Sequence, residues 1–153
     1  MTTTITTTIK PLASEPAPIP VPTPTVLVVD DNPTNLKLAS DVLEFAGYRV
    51  LKAADAEEAQ VLLRHAQPNL IFMDLALPGM DGLTLTRKLK SAPLTKHIQI
   101  IALTAFAMKG DEEKARNAGC DGYIAKPINT RNFPAQVAEF LQASTNLTPA
   151  TLV

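Results

Sequence analysis

Val26-Leu27-Val28-Val29-Asp30-Asp31-Asn32-Pro33 reads as a strand, a strand end and a helix start in immediate succession. The four apolar residues show no alternation, as in a strand covered on both faces. Asn32 fits an N-cap and Pro33 the favoured first helical position. Two acids therefore sit where a strand gives way to a helix.

The same unit recurs along the chain. Leu36, Ala39, Val42, Leu43 and Ala46 fall at helical spacing, and Gly47 is placed to stop that helix. Arg49–Ala53 is a second strand. Asp55 opens a second helix with Ala59, Leu62, Leu63 and Ala66 inward, ended by Pro68-Asn69. Leu70–Met73 is a third strand closed by Asp74, and the loop residues Pro78–Gly82 lead to a helix reaching about Lys90. Ile98–Leu103 is a fourth strand closed by Thr104, followed by a charged helix over Lys109–Asn117 ended by Gly119. Gly122–Ala125 is a fifth strand closed by Lys126. The last helix covers Phe133–Leu141, with Phe133, Val137, Phe140 and Leu141 inward and Pro134 in its first turn.

Alternating strands and helices predict an α/β fold, a parallel sheet with helices on both faces. The chain has 153 residues, enough for one domain. Residues 1–24 are expected to be a Thr/Pro-rich tail, 25–143 the domain and 144–153 a short frayed tail. Six of the 13 prolines lie between Pro11 and Pro24. That run favours extended polyproline II and reads as a semi-rigid spacer, since P-x-x-P spacing is lacking.

Charge excludes some classes of function. Fourteen Lys and Arg face 15 Asp and Glu, so no basic field predicts nucleic-acid or membrane-surface binding. No apolar run is long enough for membrane insertion, and no signal peptide is evident. A single cysteine, Cys120, rules out an internal disulfide and suits a reducing, cytoplasmic setting.

In open parallel sheets, ligands bind beyond the carboxyl ends of the strands. The strand ends here are Asp30-Asp31, Asp74, Thr104 and Lys126. Clustered carboxylates repel one another unless a cation lies among them, and hard oxygen donors suit Mg²⁺. Asp74 then fits a nucleophile for phosphoryl transfer. Asp30, Asp31, Asp74 and the Ala76 carbonyl fit a metal site, with Lys126 and Thr104 for the phosphoryl oxygens.

The ordered set Val28-Val-Asp-Asp-Asn, Phe72-Met-Asp-Leu, Leu77-Pro-Gly-Met-Asp-Gly, Leu103-Thr-Ala and Gly122-Tyr-Ile-Ala-Lys-Pro resembles the receiver domains of two-component response regulators. The match runs from about Thr25 to Leu141. Leu103-Thr-Ala-Phe-Ala-Met looks most like single-domain regulators of the cell-cycle type and receivers in hybrid kinases. The resemblance implies a doubly wound, flavodoxin-like strand order 2-1-3-4-5. It implies Asp74 as phosphoacceptor, Asp30 and Asp31 as the acidic metal pair, and Lys126 as the family's lysine. Thr104 and Tyr123 become the switch pair, and Lys126-Pro127 a cis peptide. It further implies a histidine kinase or phosphotransfer protein as donor, and a downstream partner met by the face of the fourth helix, fifth strand and fifth helix. Two departures stand out. Leu77 occupies a frequent Met position, and Ala76 replaces a side chain that is often polar, so it cannot orient an attacking water.

Taken singly, each residue has an ordinary explanation: Asp31 as a helix-start acid, Thr104 as a strand-end hydroxyl, Lys126 as a surface charge, Tyr123 as a half-buried aromatic. Their joint register outweighs these. His65 and His97 read as surface residues, Cys120 as a packing residue, and Lys109–Arg116 as a solvated face whose charge Asp111, Glu112 and Glu113 cancel. An aspartate-nucleophile phosphatase is the rival. It would want an acid at Ala76 and an inserted cap, and turnover of phosphoesters would reveal it. A pseudo-receiver that binds partners without phosphorylation is a second rival, and a fragment of a hybrid kinase a third; Met1 and the tail favour an independent protein.

Overall fold

The computed structural model describes the backbone of residues 23–104 and 109–152 and the side-chain environments of 23–104 and 110–142. The expected spacer at residues 1–22 and the Ala105–Met108 part of the motif lie outside them. Ten elements alternate: β1 (Thr25–Val29), α1 (Pro33–Phe45), β2 (Arg49–Ala53), α2 (Ala56–His65), β3 (Leu70–Asp74), α3 (Gly82–Ser91), β4 (Gln99–Thr104), α4 (Lys109–Ala118), β5 (Gly122–Ala125) and α5 (Phe133–Leu152). The sheet is parallel throughout, in the expected order β2-β1-β3-β4-β5.

Every residue of β3 is buried, as are Val26–Val29 of β1, so the apolar runs without alternation are explained by cover on both faces. One core layer joins Leu27, Val29, Ile71, Met73 and Ile100 to Ala59 of α2 and Leu85 of α3. The other joins Val28, Phe72, Ile101 and Leu103 to Leu43 of α1 and Phe133 and Val137 of α5. Phe72 and Phe133 meet at 4.9 Å between ring centroids, tilted by 49°, fixing α5 on the central strand.

Helix starts follow the capping chemistry. Asn32 Oδ1 accepts from the backbone N–H of Thr34 (2.9 Å) and Asn35 (3.0 Å). Asp55 Oδ1 accepts from Glu58 N–H at 2.7 Å, while Glu58 Oε1 accepts from Ala54 N–H at 2.7 Å. Gly47, at φ 102°, ends α1 in the left-handed region as expected. Asp81 caps α3 by accepting from Thr84 N–H at 2.7 Å, and that bond holds its carboxyl below the usual aspartate value. A depressed carboxyl stabilises the fold above its unfolded pKa, and the gain disappears as pH falls through the folded one. Asp81→Ala is therefore expected to cost about 1 kcal/mol at neutral pH. The difference from wild type should shrink in acid, as urea unfolding at the two pH values checks.

Two expectations require correction. Ala46 and Ala66, expected to continue the helical spacing of α1 and the inner face of α2, both lie one residue past the helix end: each is the C-cap residue, Ala46 exposed and Ala66 already in extended backbone at φ −147° and ψ 150°. The last helix does not end near Leu141 but continues to Leu152. The segment after Leu141 has no glycine to supply a left-handed stop, so polarity alone was a poor terminator.

Candidate functional site

β1, β3, β4 and β5 end on the same edge of the sheet, and each brings its closing residue there. Asp30 N–H donates to Ala53 O at 3.0 Å, which extends the β1–β2 ladder by one residue and turns Asp30 inward, 1% exposed. Asp31, next in sequence, is exposed on the cleft wall. Asp74, 4% exposed, closes β3 opposite Leu103. Its Oδ1 accepts from Ala76 N–H at 3.0 Å, so the loop folds back on the carboxylate. Gly82 packs on the Asp74 carbonyl so closely that a side chain there would strike it; a glycine is needed for α3 to start beside β3.

Lys126 reaches over from the end of β5. Its Nζ lies 2.8 Å from Asp30 Oδ2 and 3.1 Å from Asp74 Oδ2, with the lysine side chain 11% exposed. The Lys126 N–H donates to Thr104 O at 2.7 Å, which locks the two strand ends together, and Lys126-Pro127 is cis, as the resemblance implied. Burial pushes the Asp30 carboxyl up, with Lys126 and Asn32 N–H pulling it down by less. Burial opposes the charge on Lys126, but the hydrogen bond to Asp30 and the fields of Asp74 and Asp30 outweigh it, so its pKa is raised.

Asp30, Asp31 and Asp74 each offer an oxygen, and the three atoms lie within 4.8 Å of one another. A single lysine faces two of these acids, so the set keeps surplus negative charge and fits a small divalent cation with oxygen preference. The cleft measures about 540 Å³ and includes Thr104, Ala76 and Lys126 on its walls. Asp111 and Lys114 of α4 line it as well. Sequence reading assigned both to a solvated face; their (i, i+3) spacing in the helix that follows the fourth strand was the available signal. Tyr123 lies outside the cleft, in a neighbouring groove with Glu112, Ala115 and Cys120. It pairs with Ala102 on β4, and Thr104 is two residues on, so Thr104 and Tyr123 share one sheet face. Burial raises the Cys120 thiol, in keeping with a packing role. Among the described residues no helix is long and apolar enough to cross a membrane.

A five-stranded doubly wound sheet with three acids and a lysine at its carboxyl edge is the architecture of a two-component receiver domain, and the comparisons agree. The family model described as the response regulator receiver domain matches residues 26–138, and the chain belongs to that family. Among curated relatives, the polar-differentiation response regulator DivK of Brucella anthropi is 44% identical over 116 residues, covering 76% of this chain and 94% of that one. Among solved structures, a CheY-like receiver domain protein from Methanospirillum hungatei superposes with a TM-score of 0.75 at 32% identity, covering 81% of this chain and 98% of that one. The receiver domain of a Pseudomonas aeruginosa sensor histidine kinase, with magnesium coordinated in its active-site cleft, gives 0.69 at 35% identity, covering 79% and 96%.

Proposed function

We propose that Asp74 of this receiver domain accepts a phosphoryl group from a histidine kinase or histidine phosphotransfer protein, and that the aspartyl phosphate changes the domain's affinity for a protein partner. The observation that carries this is the Lys126 ammonium bridging Asp30 and Asp74 beside the cleft that Asp31, Asp74 and Thr104 line. An Asp74 carboxylate oxygen attacks the phosphorus as the bond to the donor nitrogen breaks, and the donor keeps that electron pair. Asp30, Asp31, Asp74 and the Ala76 carbonyl would hold Mg²⁺, which would neutralise charge on the transferring oxygens. Lys126 gives up its bond to Asp74 for a phosphoryl oxygen, and the Thr104 hydroxyl donates to another. Positioning and electrostatics supply most of the rate.

Phosphate held by Thr104 draws the end of β4 toward the cleft. Tyr123, on the same sheet face, turns into the space vacated, and the surface of α4, β5 and α5 is reshaped for its partner. Loss of the phosphoryl group is slow self-dephosphorylation, since Ala76 offers no side chain to orient water.

Acetyl phosphate with Mg²⁺ is expected to add one phosphoryl mass, and excess chelator to suppress it. An unmodified mass in Mg²⁺, or uptake indifferent to chelator, would overturn the reading. Steady turnover of small phosphoesters would instead favour the phosphatase class. For the output step, Tyr123→Ala should take up phosphate at nearly the wild-type rate. The difference in partner capture between phosphorylated and unphosphorylated protein should shrink severalfold, toward the ratio of one expected when neither state is preferred. A wild-type difference in the variant would remove Tyr123 from the switch.

A further inference from the structure

A groove of about 710 Å³ lies between α2 and α3, at the edge of the sheet opposite the acidic cleft. Its walls are the last turns of α2 and α3 and the loops that lead from them to β3 and β4. Leu63, Leu89 and Leu94 are its apolar lining, and Leu94 is 71% exposed. Gln60, Arg64, Gln67 and Lys88, whose side chains carry N–H donors, line it as well. Gln67 Nε2 spans the two walls with a long bond of 3.5 Å to Leu94 O.

The chain enters the domain beside this groove. Thr25 N–H donates to Asn69 Oδ1 at 2.9 Å, and Asn69 N–H donates to Thr25 O at 2.8 Å. Asn69 is two residues from Gln67, a separation of at most about 7 Å. Immediately upstream stands Pro16-Ala-Pro-Ile-Pro-Val-Pro22, outside the described residues. We infer that this segment seats in the α2–α3 groove of its own domain, with Ile19 and Val21 against Leu63, Leu89 and Leu94. Extended at about 3.1 Å per residue, Pro16–Pro22 spans about 22 Å, ample for the groove. The match is chemical as well as steric. Proline nitrogens carry no hydrogen, so the segment presents mainly carbonyl acceptors, and the groove presents donors. Glu15 precedes the segment, and Arg64 and Lys88 are the cations to receive it. Aliphatic walls suit Ile and Val, whereas grooves that take foreign P-x-x-P ligands are aromatic-lined. Tethering gives an effective concentration on the order of millimolar, so a weak contact suffices. The seated segment would cover the exposed Leu94 and brace the lower ends of α2 and α3.

The test uses the full chain with Cys120→Ser and a nitroxide on Ala17→Cys. Nuclear-resonance signals of Leu63, Ala66 and Leu94 are expected to lose most of their intensity relative to the reduced label, while Glu139 on α5 keeps its own. Adding Ile19→Asp and Val21→Asp should restore the lost signals. Loss at another surface, or none, overturns the proposal. So does loss that appears only when labelled chains are mixed with isotope-enriched ones, which would make a second copy the occupant. Should Cys120→Ser fail to fold, hydrogen exchange of the otherwise wild-type chain decides the matter: Ile19→Asp with Val21→Asp should speed exchange over Gln60–Gln67 and Leu89–Thr95 severalfold, and unchanged rates overturn the proposal.

Discussion

Asp74→Asn is expected to take up no phosphoryl group from acetyl phosphate and Mg²⁺, a fall in rate of at least about 10³-fold, as when a nucleophile is removed. The substitution keeps the shape of the side chain. The amide oxygen can still accept from Ala76 N–H, so the loop and the start of α3 stay in place. What disappears is the negative oxygen that attacks phosphorus and the charge that meets Lys126 at 3.1 Å. The fold should hold or gain slightly, because one of three clustered acids has lost its charge. Intact mass, with urea unfolding alongside, separates chemistry from folding. An adduct of equal yield in the variant would move the acceptor elsewhere. Asp31 would be the first place to look by peptide mapping, being the exposed acid of the three.

The central strands β1, β3 and β4 were readable because burial on both faces leaves an unbroken apolar run. Leu70–Met73 could not be taken for a surface strand, and a polar residue closing such a run marks the carboxyl edge. The caps of α1 and α2 were readable because Asn32 and Asp55 satisfy helix N–H groups within three residues, whereas the Asp81 cap of α3 was hidden among loop residues. The acidic site followed from combining the two, since strand ends on one edge share a neighbourhood whatever their sequence separation. Contacts that depend on long side chains were not legible. Lys126 could be placed at the rim, but its choice of Asp30 at 2.8 Å over Asp31 is decided by the inward turn after β1. Lys90 passes beneath Gly119 to Asp121 Oδ2 and Ile98 O, both at 2.8 Å, and ties α3 to the β4 and β5 edge. Nothing local in either stretch marks that link across 31 residues. The groove between α2 and α3 was hidden for a related reason. Two helix ends and the two loops that follow them form it, and loop placement follows from packing rather than periodicity.

Lys126→Met tests the electrostatic side of the site. The ammonium sits between two buried carboxylates, and deleting one partner of such an arrangement typically costs about 3–5 kcal/mol. Each acid retains a backbone donor, Asn32 N–H for Asp30 and Ala76 N–H for Asp74, so the loss belongs at the low end, about 3 kcal/mol at neutral pH. The pH dependence has a definite sign. Burial already raises Asp30, so the folded state prefers it protonated, and the cost of its charge grows as pH rises from the unfolded value through the folded one. Without Lys126 that cost is larger, and the deficit of the variant should narrow near the acid end of the range. Lys126 is itself raised, so its contribution in wild type is complete below the unfolded lysine value and is lost as pH climbs through the folded one. Mg²⁺ should recover part of the deficit, since a cation among Asp30, Asp31 and Asp74 replaces the missing charge. Phosphoryl uptake should still fall by about 10²-fold, because the metal cannot also donate the lysine's hydrogen bond to the transferring group. A urea titration with and without Mg²⁺ at two pH values reads all three effects. A loss below about 1 kcal/mol that ignores both pH and Mg²⁺ would mean that water already screens the pair, and the low-dielectric account of the cleft would fail with it.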